Sequence, residues 1–294
     1  MNNTSESDNM VDALLPDDMA KKAETVGVQK ANMSFSKTIM LAILAGAFIG
    51  FGAIFATTVT TGSDIYWGGN KLIGGLAFSL GLILVIVGGA ELFTGNNLII
   101  MAWASQKIKT SALLRNWSIV YLGNLVGALF LAILMLLAQQ YTFSKGQVGL
   151  NALQIASFKC SLGFYQAIYL GILCNILVCL AVWLCFSART TAGKILSILF
   201  PITAFVAAGF EHSIANMYFI PKGILIKQFA SAEYWELIGH SPLDFSNLKW
   251  QNFLLNNLIP VTLGNIIGGA ILVGIVYWFV FLKHKKQLIT NENE

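Results

Sequence analysis

Six stretches of this chain, at residues 39–60, 72–104, 117–138, 163–186, 195–220 and 253–282, are apolar over lengths that carry a helix across a lipid bilayer. A hydrocarbon layer takes roughly 20 helical residues to cross. Within it, every backbone amide and carbonyl must find its partner inside the protein, so only helices and closed barrels can span it. The ten-residue alternation of barrel strands does not occur in this sequence, and helices remain. Composition agrees: 56% of residues are hydrophobic and only 11% charged, with a mean hydropathy of +0.70, against about 25% charged in soluble domains. The expected class is an all-α membrane protein with six transmembrane helices.

Charge sets an orientation. Residues 1–36 are polar and hold neither an apolar h-region nor a small-residue cleavage site, which predicts a cytoplasmic amino-terminal segment. With six spans, twelve of the eighteen Lys and Arg residues then fall on the cytoplasmic side and six outside, as the positive-inside rule requires. The predicted organisation is a segment 1–36 with a short amphipathic helix begun by Pro16-Asp17-Asp18, a six-span domain 37–282, and a cytoplasmic tail 283–294. Because the basic residues are spread along membrane edges, the excess of +4 is no sign of a nucleic-acid partner.

Two tracts are wrong for simple helices. Residues 72–104 are interrupted by Gly88-Gly89-Ala90-Glu91, and 195–220 by Pro201 and by Ala208-Gly209-Phe210-Glu211-His212. Both read as broken helices, and non-helical backbone at membrane depth is tolerated only where protein buries it or where it lines a cavity. The breaks resemble each other, with Gly, Glu and Asn equally spaced in Gly89–Asn96 and Gly209–Asn216. Leu122-Gly123-Asn124 also echoes Leu263-Gly264-Asn265, and Ala42-Ile43 with Gly46 echoes Ala167-Ile168 with Gly171 more weakly. These echoes predict two three-span units, about 37–140 and 160–282. Three is odd, so the second unit inserts upside down and the two breaks meet near the midplane.

Candidate chemistry follows from that meeting. An intramembrane ionisable residue is by default a functional hypothesis, which singles out His212; its bland rival is a histidine bonded to a backbone carbonyl. Thr94 could merely bond back to its own helix. Glu91 and Glu211, with Asn216 beside the second, are expected to structure the loops by accepting hydrogen bonds from the amides freed at the breaks. The three histidines (His212, His240, His284) and the four cysteines (Cys160, Cys174, Cys179, Cys185) lack metal-ligand spacing, so no metal, cofactor or disulfide is expected and a membrane enzyme is disfavoured.

The stretches GGAELFTGNN (88–97), NWSIVYLGNLVGAL (116–129), GFEHSIANMYFIPKGI (209–224) and NLIPVTLGNIIGG (257–269) resemble the formate/nitrite transporter family, and within it the bacterial formate channels. The resemblance covers nearly the whole chain. It implies an aquaporin-like protomer with two broken helices, assembled as a homopentamer in the bacterial inner membrane with both termini cytoplasmic. By position, His212 resembles the family's pore histidine, Thr94 the threonine facing it, Lys159 a basic residue of the outer vestibule, and Asn175 a polar position near the pore. Phe78, Leu82, Leu92, Phe93 and Phe205 fall where the family places its apolar constrictions. The implied cargo is formate or formic acid, with nitrite, hydrosulfide or another small monovalent anion as the alternative. Membrane lipid and the cytoplasmic pyruvate formate-lyase are implied partners.

Overall fold

The structure, a computed structural model, describes residues 13–283. Residues 1–12 of the expected cytoplasmic segment and 284–294 of the expected tail lie outside the described residues. Among the described residues the chain is helical, without strands. In order the helices are α1 (Pro16–Ala31), α2 (Phe35–Val59), α3 (Trp67–Gly88), α4 (residues 93–104, with a 3-10 turn at Asn97–Ile99), α5 (Thr110–Leu137), α6 (Gln147–Cys160), α7 (Phe164–Ser187), α8 (Thr191–Ala207), α9 (Ser213–Phe229), α10 (Ala232–Ile238) and α11 (residues 250–283, alternating α-helical and wider π-helical turns).

Five of these runs are long and apolar enough to cross a membrane, and α8 is a shorter apolar helix of 17 residues. Together with α9, α8 makes a pass in two pieces, so the arrangement is compatible with six spans. Large side chains such as Leu122, Phe130, Tyr169, Phe200 and Leu272 are exposed around the outside. That inversion of a soluble surface is what a lipid-bathed protein presents.

Both breaks are made by one local device. Gly89 and Gly209 turn the chain with φ of +81° and +74°, values that a side chain disfavours. The next residue then closes a bond five residues back, Ala90 N–H to the Val85 carbonyl at 2.9 Å and Phe210 N–H to the Phe205 carbonyl at 3.0 Å. This is the helix-ending motif with a left-handed glycine. Leu92 and His212 are extended, and α4 and α9 begin immediately after them. Pro201, by contrast, interrupts nothing and sits inside α8. Proline removes one helix hydrogen bond, and in a membrane neighbouring helices hold the helix together around that loss.

Glycine lets the helices of each unit touch backbone to backbone. A Cβ added at Gly127 would strike the Ile43 carbonyl oxygen, and one at Gly268 the Ile172 carbonyl oxygen. These two contacts pair α2 with α5 and α7 with α11 in the same way, so Ile43 corresponds to Ile172. The sequence echo that matched Ile43 with Ile168 is therefore one helical turn out of register. Small residues recur every four positions on these faces, so a shift of one turn preserves the pattern and is invisible in sequence.

Two segments expected as outer connections carry helices, α6 and α10. Lys222 follows the 195–220 tract, which places it among the six basic residues expected outside, yet it lies inside α9. Replacing Gly127 by valine is expected to lower unfolding stability by about 1–3 kcal/mol through backbone overpacking. Gly163, whose added Cβ would meet nothing within 4 Å, should accept alanine within about 0.5 kcal/mol. Thermal unfolding of the detergent-solubilised variants checks both.

Candidate functional site

A chain leaving a helix frees amides and carbonyls, and at each break one asparagine takes them up. Asn124 Oδ1 accepts from Phe93 N–H at 2.9 Å, while its Nδ2 donates to the carbonyls of Ala42 (2.8 Å) and Glu91 (2.9 Å). Asn265 does the same for Ser213 N–H (2.9 Å) and the carbonyls of Gly171 (2.8 Å) and Glu211 (3.0 Å). Glu91 and Glu211 were expected to accept from the freed backbone amides; the asparagines take the Phe93 and Ser213 amides instead. Glu91 pairs with Lys30 at 2.9 Å and accepts from Asn96 Nδ2 at 2.7 Å; Asn96 also donates to Asn116 Oδ1 at 3.0 Å. Glu211 pairs with Lys159 at 2.7 Å and accepts from Asn216 Nδ2 at 2.7 Å and Asn257 Nδ2 at 3.1 Å. A lone buried carboxylate is costly, and an ammonium with one amide donor at Glu91 and two at Glu211 offsets that cost.

Lys30, Asn116 and Asn257 were not among the residues expected at the breaks. A signal existed for the asparagines: each stands eight residues before Asn124 or Asn265, in NWSIVYLGN and NLIPVTLGN. None existed for the pairing of either lysine with its glutamate, because Lys30 comes from α1 and Lys159 from α6, both outside the duplicated helices.

Thr94 and His212, both buried, meet where the amino-terminal ends of α4 and α9 converge, with Thr94 Oγ1 2.9 Å from His212 Nε2. His212 caps its own helix, because Nδ1 accepts from Ala215 N–H at 3.0 Å. An accepting Nδ1 carries no proton, so the neutral ring is protonated on Nε2 and donates to Thr94. The threonine hydroxyl then has its own proton left to offer a third group. The Phe205 ring stacks beside the imidazole at 5.9 Å, and Phe78 meets Phe205 edge to face at 5.8 Å.

Two cavities approach this layer from opposite sides. One, of about 340 Å³, is lined by Lys71, Phe78, Lys159, Phe205, Glu211 and His212. The other, of about 230 Å³, is lined by Lys30, Leu82, Glu91, Leu92 and Val182. Phe78 and Leu82 are one helical turn apart on α3, so the apolar barrier between the cavities is about 6 Å thick along that helix.

Two residues fall elsewhere than expected. Phe93 lines neither cavity and packs against Tyr121 (4.9 Å) and Trp117 (6.1 Å) on α5, because its amide is tied to Asn124 on that helix. Asn175 also lines neither: its Nδ2 donates to Asn97 Oδ1 (2.9 Å) and the Asn265 carbonyl (2.7 Å), behind the Thr94 loop. Phe219, overlooked in the sequence, lines the Lys159 cavity and stacks on Phe78 at 6.2 Å.

Replacing Asn265 by leucine strands the buried Ser213 amide and two carbonyls, and an expected loss of about 1–3 kcal/mol per unsatisfied group follows. Thermal unfolding reads it, with Asn256→Leu on an exposed stretch of the same helix as the control.

Comparison with known proteins agrees with this architecture. The family profile for the formate/nitrite transporter matches residues 17–279. The chain is 51% identical over 278 residues to the formate channel FocA of Escherichia coli strain K12, covering 94% of this chain and 98% of that protein. It is 43% identical to the FocA formate channel of Haemophilus influenzae, over 92% of this chain and 96% of that one. A solved structure described as a pentameric formate channel with formate bound superposes with a TM-score of 0.81 at 50% identity, covering 85% of this chain and 98% of the other. The chain belongs to the formate/nitrite transporter family, a family of membrane transport proteins and not of enzymes.

Proposed function

We propose that this protein is a formate channel of a bacterial inner membrane, working as a homopentamer with one pathway per protomer. The observation that carries the reading is the buried Thr94–His212 pair held between two cavities by a duplicated set of hydrogen bonds. The formate channels that the chain resembles, and the pentameric one superposed on it, support the cargo and the assembly.

A small anion crossing an apolar barrier loses hydration worth several kcal/mol. The pathway supplies replacements in sequence. Lys71 and Lys159 attract the anion into the first cavity, which faces outward in the proposed orientation. The amino-terminal ends of α4 and α9 then present their positive poles at the centre. The Thr94 hydroxyl, already accepting from the imidazole, donates its remaining proton to the carboxylate. Protonating His212 requires Nδ1 to release the Ala215 amide, so an imidazolium forms only where an anion beside the ring compensates. Passage past Phe78, Phe205, Leu82 and Leu92 proceeds as formic acid or as a paired anion, and transport depends on pH. Asn175 and Phe93 hold the Thr94 loop from behind.

In the same reading residues 1–36 form a cytoplasmic segment, 37–282 the six-span domain with repeats about 37–140 and 160–282, and 283–294 a cytoplasmic tail. Lipid covers the exposed apolar belt outside the subunit contacts. The exposed face of α1, with Asp17, Lys21 and Thr25, is available to the cytoplasmic pyruvate formate-lyase.

Flux of formate, nitrite and chloride into proteoliposomes between pH 5 and 8 tests the reading. Formate influx should exceed that of chloride and rise toward pH 5. In His212→Phe permeation should persist while the pH dependence flattens; a mutant profile identical to wild type refutes the proton role. Thr94→Val should lower formate flux about tenfold or more, as expected for a lost hydrogen bond to a charged group.

A further inference from the structure

Lys222 has no part in the pathway just described, yet it is only 4% exposed and its Nζ has no hydrogen-bond partner. The centroid of the Tyr141 ring lies 6.0 Å from it. The ammonium lines a chamber of about 10 Å³ walled by Ile54 and Thr57 of α2, Tyr141, Ala152 of α6, and Tyr218 and Phe219 of α9, and the lining contains no acid. A buried lysine without a counter-charge is strongly disfavoured, and one ring face does not replace the lost hydration. That volume just admits one water-sized particle, and a halide, somewhat larger, fits only as the Phe219 ring in its wall gives way.

Its position decides which particle. Thr57 and Phe219 line both this chamber and the Lys159 cavity, so the chamber lies directly behind the wall of a space that draws in anions. Phe219 also stacks on Phe78 at 6.2 Å and has Lys159 Nζ 5.4 Å from its centroid. The ring thus separates two lysines, one paired with Glu211 and one unpaired.

We propose that Lys222 forms a lateral binding site for one small monovalent anion of halide size, outside the transport path, and that its occupant seats Phe219 against Phe78. A water molecule in the same place would solvate the ammonium and leave its charge uncompensated. The site is independent of the identity of the cargo.

Crystals of the full-length protein grown in bromide, with anomalous diffraction, test the site. A bromide peak within about 4 Å of Lys222 Nζ, lost in Lys222→Met and kept in Lys222→Arg, is the expected result. In solution, exchanging gluconate for bromide at constant ionic strength should raise the wild-type melting temperature by about 3 °C more than that of Lys222→Met. A peak between Thr94 and His212 in both proteins reports the transport path and is judged separately. Absence of bromide at Lys222 in wild type, with bromide bound elsewhere, overturns the proposal. So does a peak there with equal stabilisation of wild type and Lys222→Met, which marks an adventitious ion only. Should Lys222→Met fail to fold, the wild-type and Lys222→Arg crystals alone decide.

Discussion

A polypeptide cannot leave its helix inside a membrane unless something other than water takes its amides and carbonyls, and here two asparagines do so. One side-chain amide both donates and accepts. Asn124 therefore binds an N–H of the first break, a carbonyl of that break and a carbonyl of the neighbouring helix, and Asn265 repeats the set. The extended Leu92 and His212 persist because of these bonds, and from them follow the placement of Thr94 and the imidazole at converging helix ends. Glycine makes the arrangement reachable, since Asn124 and Asn265 touch carbonyls of adjacent helices only when those helices pack at backbone distance.

Around this frame each of the two break carboxylates is given a counter-charge. Each glutamate has one lysine and two asparagines nearby, which neutralises it and orients the start of the half-helix. The two halves differ in where the lysine originates. Lys159 rises from α6, between the repeats, whereas Lys30 belongs to α1, ahead of them. One cavity is thus completed by a helix fastened from outside the duplicated core: Met19, Ala20, Ala23 and Gly27 of α1 are buried, and Glu24 pairs with Lys107. Removing α1 would expose Glu91 without its counter-ion.

Much of this was legible because the membrane restricts the choices. Apolar length marked the spans, and a glycine with a glutamate two residues on marked each break. The repeated Gly-Glu-Asn spacing showed that the breaks are equivalent. Legibility failed where different geometries share one pattern. Small residues recurring every four positions hid a one-turn register shift between α2 and α7. Phe93 and Leu92 are adjacent and equally apolar, yet only Leu92 lines a cavity, because Asn124 holds the Phe93 amide toward α5. Pro201 looked like a breaker and lies in an intact helix.

Sequence alone determined that the chain is helical, lies in a membrane and carries the same break pattern twice. It also determined that His212 and Thr94 belong to the two breaks, since polar residues inside apolar tracts have few alternatives in hydrocarbon. Tertiary structure alone decided which lysine meets which glutamate, that Nδ1 of His212 is occupied by a backbone amide, and that Asn175 stands behind the loop. It also left Lys222 buried without a partner. The division has a physical cause: burial in lipid is a property of composition along the chain, whereas a hydrogen bond or ion pair across 52 or more residues, such as Lys159 to Glu211, depends on how helices distant in sequence are brought side by side.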